Sequence, residues 1–162
     1  AAGLGMRVIA TRRHSSRSKP DFVDAVHPPD QLHSLLPEAD WVTICLPYTS
    51  DTADLISTSE FGRMKTGAHV LCATRGGIIN TKALMAALDG GGVGGAGLDV
   101  TDPEPLPVDH PLWRYENVII TPHQSGYSEA ANERLEQLIR ENVRNFLNGA
   151  PLRNIVDLDL QY

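Results

Sequence analysis

The sequence predicts an α/β protein built on a doubly wound parallel sheet of the Rossmann type. Apolar runs rich in valine and isoleucine recur without strict alternation, as is typical of strands buried on both faces of a parallel sheet. Helical segments separate several of these runs, which favours strand–helix–strand units. The chain has 162 residues, of which 41% are hydrophobic and 21% charged, a composition ordinary for one globular domain.

Five short runs are the strand candidates, and each is apolar through its centre. They occupy residues 6–12, 41–47, 69–74, 95–100 and 118–122. The helix candidates occupy residues 30–38, 57–64, 81–89 and 128–147. Asn80 is a suitable N-cap for the third helix, and a glycine follows its end. The fourth helix places its apolar residues on one face and is ended by Gly149 and Pro151.

The glycines Gly92, Gly94 and Gly97 satisfy the G-x-G-x-x-G spacing of dinucleotide-binding loops. That loop must follow a strand and begin a helix. Here the glycines follow a helix and enter the strand candidate at 95–100. We therefore interpret them as a helix-to-strand connection, and the sequence contains no proper phosphate-binding loop.

Composition and charge argue against several classes of protein. The net charge of −6 does not favour a nucleic-acid binder, and no apolar run reaches the roughly 18–20 residues that cross a bilayer. Cys45 and Cys72 lie in apolar runs, so we interpret both as small buried hydrophobic residues. Without a C-x-x-C pair or histidines at ligand spacing, no metal site is predicted, and a reducing cytoplasmic setting fits best.

Arg75 ends an apolar run and precedes two glycines, which is an unusual place for a guanidinium. Ligands of α/β proteins bind at the carboxyl ends of parallel strands. The planar fork of arginine can hold two oxygens of a 2-oxo acid in one plane. The alternative from the residues alone is an arginine that forms a salt bridge with a helix.

Three motifs, "TRGG" from Thr74, "LDVTDPEPLP" from Leu98 and "TPHQSG" from Thr121, occur in that order. With them the chain resembles the D-isomer-specific 2-hydroxyacid dehydrogenases, and within these the glyoxylate/hydroxypyruvate reductases. The resemblance implies an oxidoreductase that transfers hydride between NAD(P)H and a small 2-keto acid or D-2-hydroxy acid. It also implies that Arg75 binds substrate and that His123 and Glu104 are the acid/base pair. The cofactor contacts it implies are Leu46, Pro47, Thr52, Ala73, Thr74, Asp99 and Gly126.

Arg12 ends the first apolar run and Arg13 follows it, at the position where NAD-linked relatives carry an aspartate that bonds the adenosine ribose. A carboxylate there repels a 2′-phosphate, whereas arginines pair with it. We therefore expect NADP to be preferred over NAD, with donors added by Ser15, Ser16 and Arg17. The alternative is a basic, solvated turn.

The resemblance further implies that the chain is a fragment. In the strand order 3-2-1-4-5-6, run 6–12 corresponds to strand 2 and run 69–74 to strand 4, and no run corresponds to strand 1. Residues 1–148 are then a truncated dinucleotide-binding domain, and residues 149–162 a tail that packs on a missing substrate domain. We expect these residues alone to be inactive and the full-length form to be a homodimer.

Two other functions remain open at this point. One is a non-catalytic nucleotide-sensing or corepressor-like interaction protein on the same fold, and the other is an inactive remnant. Oxidation of a nicotinamide cofactor with a panel of 2-keto acids distinguishes the enzyme from both.

Overall fold

A computed structural model describes residues 1–14 and 18–161 of the chain. The strands are β1 (Ile9–Thr11), β2 (Ala25–His27), β3 (Trp41–Ile44), β4 (Ala68–Cys72), β5 (Val93–Leu98) and β6 (Val118–Ile120). The α-helices are α1 (Leu32–Leu35), α2 (Thr58–Phe61), α3 (Thr81–Asp89) and α4 (Glu129–Leu147). Short 3-10 turns occupy Ala2–Leu4, Pro29–Gln31, Leu36–Glu38 and Pro111–Arg114.

All described strands pair in parallel, which confirms the predicted fold class. β3, β4, β5 and β6 form one sheet in that order, and β1 pairs with β2 in a separate sheet of two strands. Five strands lie within the predicted runs or overlap them. No sequence pattern predicted β2, because three residues between Asp24 and a pair of prolines are too few to show a periodicity.

An apolar slot of about 440 Å³ separates the two sheets, between β1 and β3. In the Rossmann order 3-2-1-4-5-6, β2 and β1 take positions 3 and 2, and β3, β4 and β5 take positions 4, 5 and 6. The slot therefore lies at the position of strand 1, as expected. One assignment was wrong: the strand beside the slot is β3, and the run at 69–74 is β4, one strand further away.

Polar side chains begin three of the helices. The Asn80 side chain accepts a hydrogen bond of 2.9 Å from the Ala83 amide at the start of α3, which confirms the predicted cap. Ser57 and Glu60 form a reciprocal capping box on α2. Ser128 caps α4 through the Ala131 amide at 3.1 Å. These caps satisfy amide groups that have no partner inside the helix.

Between Val93 and Leu98, β5 consists of glycine and alanine, because neighbouring groups lie very close to its backbone. A Cβ on Gly94 would stand 2.4 Å from the Gly67 carbonyl oxygen, and one on Gly95 would stand 2.6 Å from that of Asn117. These glycines therefore serve packing within the sheet, and the interpretation as a helix-to-strand connection is confirmed. Val70 and Val93, on β4 and β5, are among the most deeply buried residues of the core.

The two cysteines differ, and the prediction was right for only one of them. Cys72 is buried at the end of β4, but Cys45 is exposed. Cys45 follows the last residue of β3, the strand that borders the slot, so it has no neighbouring strand to cover it on that side. Neither cysteine forms a disulfide.

α4 follows the sheet and buries none of its residues. Its apolar side chains are exposed, among them Leu135, Ile139, Val143, Phe146 and Leu147. The segment after α4 folds back on the helix, where the Arg153 amide donates to Asn142 at 2.8 Å and its guanidinium lies 2.7 Å from Glu141. Among residues 1–14 and 18–161, none of the helices combines the length and the apolarity needed to span a bilayer.

Candidate active site

The carboxyl ends of β3, β4 and β5 converge on a cleft of about 820 Å³. Parallel strands end at the same edge of a sheet, and this edge is where α/β proteins bind ligands. Three segments form the walls: residues 45–48 after β3, residues 73–77 after β4, and residues 101–104 beyond β5. The site is therefore assembled from loops whose positions are set by neighbouring strands.

Arg75 lies three residues beyond β4, on the wall of the cleft, with its side chain exposed. Its guanidinium donates to the Thr74 carbonyl oxygen at 2.7 Å. The next residue, Gly76, packs directly on the Thr101 backbone, and a Cβ there would stand 1.9 Å from the Thr101 carbonyl oxygen. This close approach holds the arginine loop against the segment that carries Glu104.

The Glu104 carboxylate and the His123 imidazole are joined by a hydrogen bond, with 2.5 Å between Oε1 and Nδ1. The hydrogen bond from His123 lowers the pKa of the Glu104 carboxyl, and the positive charge of Arg75 lowers it further. The carboxylate therefore remains charged beside the imidazole at neutral pH. The pairing at Nδ1 leaves the other ring nitrogen, Nε2, available for a substrate.

Asp99 holds the turn that carries His123. This aspartate is only 7% exposed, and its carboxylate accepts hydrogen bonds from the Thr121 hydroxyl at 2.5 Å and from the Gln124 and Ser125 amides at 2.9 and 2.8 Å. These hydrogen bonds keep the pKa of Asp99 far below its ordinary value, and the bond from Thr121 has the largest effect. A permanent anion at the end of β5 therefore fixes the histidine turn.

The other predicted cofactor contacts divide into two groups. Leu46, Pro47, Ala73 and Thr74 line the cleft. The Thr52 hydroxyl instead donates to the Pro47 carbonyl at 2.7 Å and so holds the loop after β3. Gly126 lies exposed in the histidine turn, outside the residues that line the cleft. Direct contact of Thr52, Asp99 or Gly126 with a cofactor remains a prediction.

Arg12 and Arg13 lie just beyond β1 and are not among the residues that line the Arg75 cleft. The Arg12 guanidinium donates to the Ser18 carbonyl at 3.2 Å, and that of Arg13 lies 3.9 Å from the Asp51 carboxylate. Both arginines thus stand at the carboxyl edge of the sheets, as the prediction for a phosphate contact requires. Ser15, Ser16 and Arg17 lie outside the described residues.

Two residues at the cleft were not anticipated. The half-exposed Tyr48 ring lies beside Gly77, where an added Cβ would stand 3.0 Å from the ring. Its place directly after Leu46 and Pro47 was the sequence signal that could have identified it. The Gln161 side chain lines the cleft and accepts a hydrogen bond of 2.9 Å from the Ser50 amide, and no local pattern predicted this contact. Within the described ranges, no group of three or more potential metal ligands occurs.

Comparisons with known proteins agree with this geometry. Residues 1–125 match the family described as D-isomer specific 2-hydroxyacid dehydrogenase, NAD binding domain. The chain is 39% identical to a glyoxylate/hydroxypyruvate reductase B from Enterobacter sp. (strain 638), over 96% of this chain and 47% of the relative. It is 34% identical to a glyoxylate reductase from Korarchaeum cryptofilum, over 99% of this chain and 48% of the relative.

A solved structure is similar over the same extent. The NADPH-dependent glyoxylate/hydroxypyruvate reductase from Sinorhizobium meliloti, in complex with NADP and sulfate, superposes with a TM-score of 0.87 at 28% identity. The match covers 99% of this chain and 51% of that one. The chain thus spans about half the length of the relatives it matches.

Proposed function

Because the chain belongs to the D-isomer-specific 2-hydroxyacid dehydrogenase family, we propose that it provides the catalytic residues for hydride transfer between a nicotinamide cofactor and a small 2-keto or D-2-hydroxy acid. The observation that supports this most directly is the Glu104–His123 pair, 2.5 Å apart, beside the cleft that Arg75 lines. An arginine, a histidine and a carboxylate are the groups that reduction of a 2-keto acid requires at one place.

Arg75 is the proposed substrate-binding residue. Its guanidinium can donate to a carboxylate oxygen and to the keto oxygen in one plane, which orients the substrate and polarises the carbonyl. The bond to the Thr74 carbonyl is local and exposed, so a substrate can replace it at little cost. Gly76 allows the backbone to come close to the segment that carries Glu104, which keeps the two groups on the same cleft.

His123 is the proposed proton donor in the reduction direction, acting through Nε2. The charged carboxylate of Glu104 at Nδ1 fixes the ring orientation and directs Nε2 to the substrate side. In oxidation of a 2-hydroxy acid the same nitrogen takes the proton from the hydroxyl. Asp99 acts as a positioning residue, because its hydrogen bonds to Gln124 and Ser125 fix the turn next to His123.

The cleft fits a nicotinamide dinucleotide in position and size. It lies at the carboxyl edge of the sheet, and 820 Å³ falls within the roughly 300–1,000 Å³ typical of small-molecule pockets. Leu46, Pro47, Ala73 and Thr74 would hold the nicotinamide end. A bound nicotinamide would supply the hydride for reduction.

We propose that NADP is preferred to NAD. Arg12 and Arg13 follow β1, and their guanidinium groups suit a 2′-phosphate, whereas no carboxylate occupies those two positions. The similar Sinorhizobium meliloti structure contains NADP. The exposed contact between Arg13 and Asp51, at 3.9 Å, is weak enough to be exchanged for a phosphate.

The larger protein that this reaction implies is also a proposal. We propose that residues 149–162 and the exposed apolar face of α4 pack on a substrate domain, and that the full-length form is a homodimer. Two free cysteines are compatible with the reducing cytoplasm as its location. The non-catalytic alternative has no observation in its favour, because the proposed acid/base pair is complete in the described part of the chain.

The decisive experiment uses a chimera in which these 162 residues replace the matching part of the Enterobacter reductase. NADPH oxidation is followed with a panel of small 2-keto acids for the unmodified chimera, His123→Ala and the control His27→Ala, which changes a histidine on β2 outside the residues that line the cleft. We expect His123→Ala to lower kcat by roughly 10²–10⁴, the usual contribution of general acid–base catalysis. Near-normal turnover of His123→Ala would refute the assignment.

A further inference from the structure

The segment after α4 returns to the sheet and reaches the cleft of the candidate active site. It leaves the helix at Pro151, whose carbonyl oxygen accepts a hydrogen bond of 2.9 Å from the Asn145 side chain. Ten residues later, the Gln161 side chain lies on the wall of the cleft and accepts a hydrogen bond of 2.9 Å from the Ser50 amide. A segment outside the sheet therefore forms part of the cleft.

A hydrogen-bonded turn holds Gln161 in that place. The Asp157 carboxylate accepts hydrogen bonds from the Asp159 and Leu160 amides, each at 3.0 Å. The Asp157 carbonyl oxygen accepts another from the Gln161 amide at 2.7 Å. An aspartate that bonds the backbone of the residues after it stabilises a turn, and a formed turn lowers the entropic cost of positioning a side chain. The position of Gln161 is therefore built into residues 157–161.

The contact with Ser50 determines the orientation of the Gln161 carboxamide. A backbone amide can only donate, so the carboxamide oxygen, Oε1, faces Ser50 and the nitrogen, Nε2, faces elsewhere. Nε2 carries two N–H donors, and among the residues that the structure describes it has no hydrogen-bond acceptor. Because the side chain lines the cleft, these donors are available to a ligand bound there.

A short path connects Gln161 to the loop that is proposed to bind substrate. Ser50, its hydrogen-bond donor, follows Tyr48 by two residues, and the Tyr48 ring would stand 3.0 Å from a Cβ on Gly77. Gly77 in turn follows Arg75 by two residues, and all of these except Ser50 line the same cleft. This path favours a contact of Nε2 with the substrate over a contact with the cofactor.

The rest of the proposed site leaves one part of the substrate without a polar partner. Arg75 is proposed to hold the carboxylate and the keto oxygen, and His123 to deliver the proton. The substituent on the far side of the keto carbon, at C3, has no donor assigned to it. An oxygen on C3 can accept from Nε2 of Gln161, whereas a methyl group at that place leaves the N–H groups without a partner, which costs free energy.

We propose that Gln161 is a specificity-determining residue, whose Nε2 donates to an oxygen on C3 of the bound 2-keto acid while Oε1 holds the loop after β3. The cleft then favours 3-hydroxy-2-keto acids over hydrocarbon analogues of the same size. This role rests on the proposed reaction, because it requires the keto acid to be bound at Arg75. The turn at residues 157–161 would thus contribute to the site directly, in addition to the packing proposed for residues 149–162.

A matched pair of substrates tests the specificity in the Enterobacter chimera. Hydroxypyruvate and 2-oxobutyrate differ only in a hydroxyl group against a methyl group on C3. The ratio of kcat/KM for the first over the second is measured for the unmodified chimera, for Gln161→Leu and for the control Gln137→Leu, which changes an exposed glutamine on the polar face of α4. We expect Gln161→Leu to lower the ratio roughly threefold to tenfold, the usual effect of one hydrogen bond, and Gln137→Leu to leave it unchanged.

Gln161→Glu separates the two contacts of the side chain. A carboxylate oxygen still accepts from the Ser50 amide, but the donors are lost and a negative charge faces the anionic substrate. In the 162-residue chain, hydrogen exchange should show the Ser50 amide protected in the unmodified chain and in Gln161→Glu, and unprotected in Gln161→Leu. In the chimera, Gln161→Glu should raise KM for both keto acids and leave KM for NADPH unchanged.

Three results would overturn the proposal. The first is an unprotected Ser50 amide in the unmodified chain, and the second is an unchanged substrate ratio in Gln161→Leu. The third is a rise of KM for NADPH alone in Gln161→Glu, which would assign the side chain to the cofactor. A failure of the proposed reaction is distinct from these, because the unmodified chimera would then reduce neither keto acid. Turnover with an unchanged ratio would refute only the role of Gln161.

Discussion

Replacing Gly76 by alanine tests how the arginine loop is held beside Glu104. An alanine Cβ would stand 1.9 Å from the Thr101 carbonyl oxygen, whereas Cβ atoms in proteins essentially never approach other atoms within 3.0 Å. One of the two backbone segments must therefore move by at least 1.1 Å, which is 3.0 minus 1.9. Overpacking of this kind typically costs about 1–3 kcal/mol, or roughly 2–12 °C in melting temperature for a chain of this size.

The same movement separates Arg75 from Glu104. Because a misplacement of about 1 Å can cost on the order of 10² in rate, keto-acid reduction by the chimera should fall by about that factor. Thermal denaturation and NADPH oxidation are the two assays. Gly3→Ala is the control, since a Cβ on Gly3 has no atom within 4 Å. If Gly76→Ala melts and turns over like Gly3→Ala, the close approach to Thr101 does not hold the loop.

Three further predictions concern charge. Glu104→Gln should lower kcat for reduction, because a neutral amide replaces the carboxylate that bonds Nδ1 and fixes the ring; an unchanged kcat would remove Glu104 from the mechanism. Arg12→Asp combined with Arg13→Ala should lower the ratio of kcat/KM for NADPH over NADH, and an unchanged ratio would contradict the proposed preference. Burial raises the pKa of Glu60, but hydrogen bonds from His33 and the Ser57 amide outweigh this effect, and the pKa is lowered. The ionised Glu60 therefore stabilises the fold at pH values above its ordinary pKa. This stabilisation is lost as the pH falls through the lowered pKa. Glu60→Gln should therefore reduce stability at pH 7 by about 1 kcal/mol, and the difference should vanish in acid-denaturation measurements at low pH.

The elements that sequence patterns predicted well are those whose signal is local. α3 begins and ends where Asn80 and the following glycine indicated, and α4 starts after its Ser128 cap. β2 could not be found, because its three residues acquire strand structure only by pairing with β1. The position of β3 beside the slot was missed for a similar reason. The strand order determines which of two apolar runs lies next to the gap, and the residues of neither run indicate that order.

The motifs predicted the individual residues of the candidate site, but they did not predict the contacts that hold these residues in place. The Glu104–His123 contact joins residues 19 positions apart, and only the folded chain shows that Asp99 holds the histidine turn. Contact of Asp99 with a cofactor stays a prediction, and the hydrogen bonds that its carboxylate accepts from the protein were not expected. The Gln161 contact with Ser50 spans 111 positions and lies beyond any local pattern.

The attachment of the histidine turn to Asp99 gives the site a modular construction. His123 takes its position from β5, so the long connection between Glu104 and β6 is not needed to place it. That connection includes Val108, which is 97% exposed, and it borders a second cavity of about 310 Å³ next to His123. Pro105, Leu106 and Trp113 of this connection line the cavity. Insertions and substitutions in the connection can therefore reshape the surroundings of His123 while this proposed proton donor keeps its place. With the proposed function, such a scaffold would allow the substrate range to change while the chemical steps stay the same, and it makes this loop the natural target for a library that seeks a new substrate.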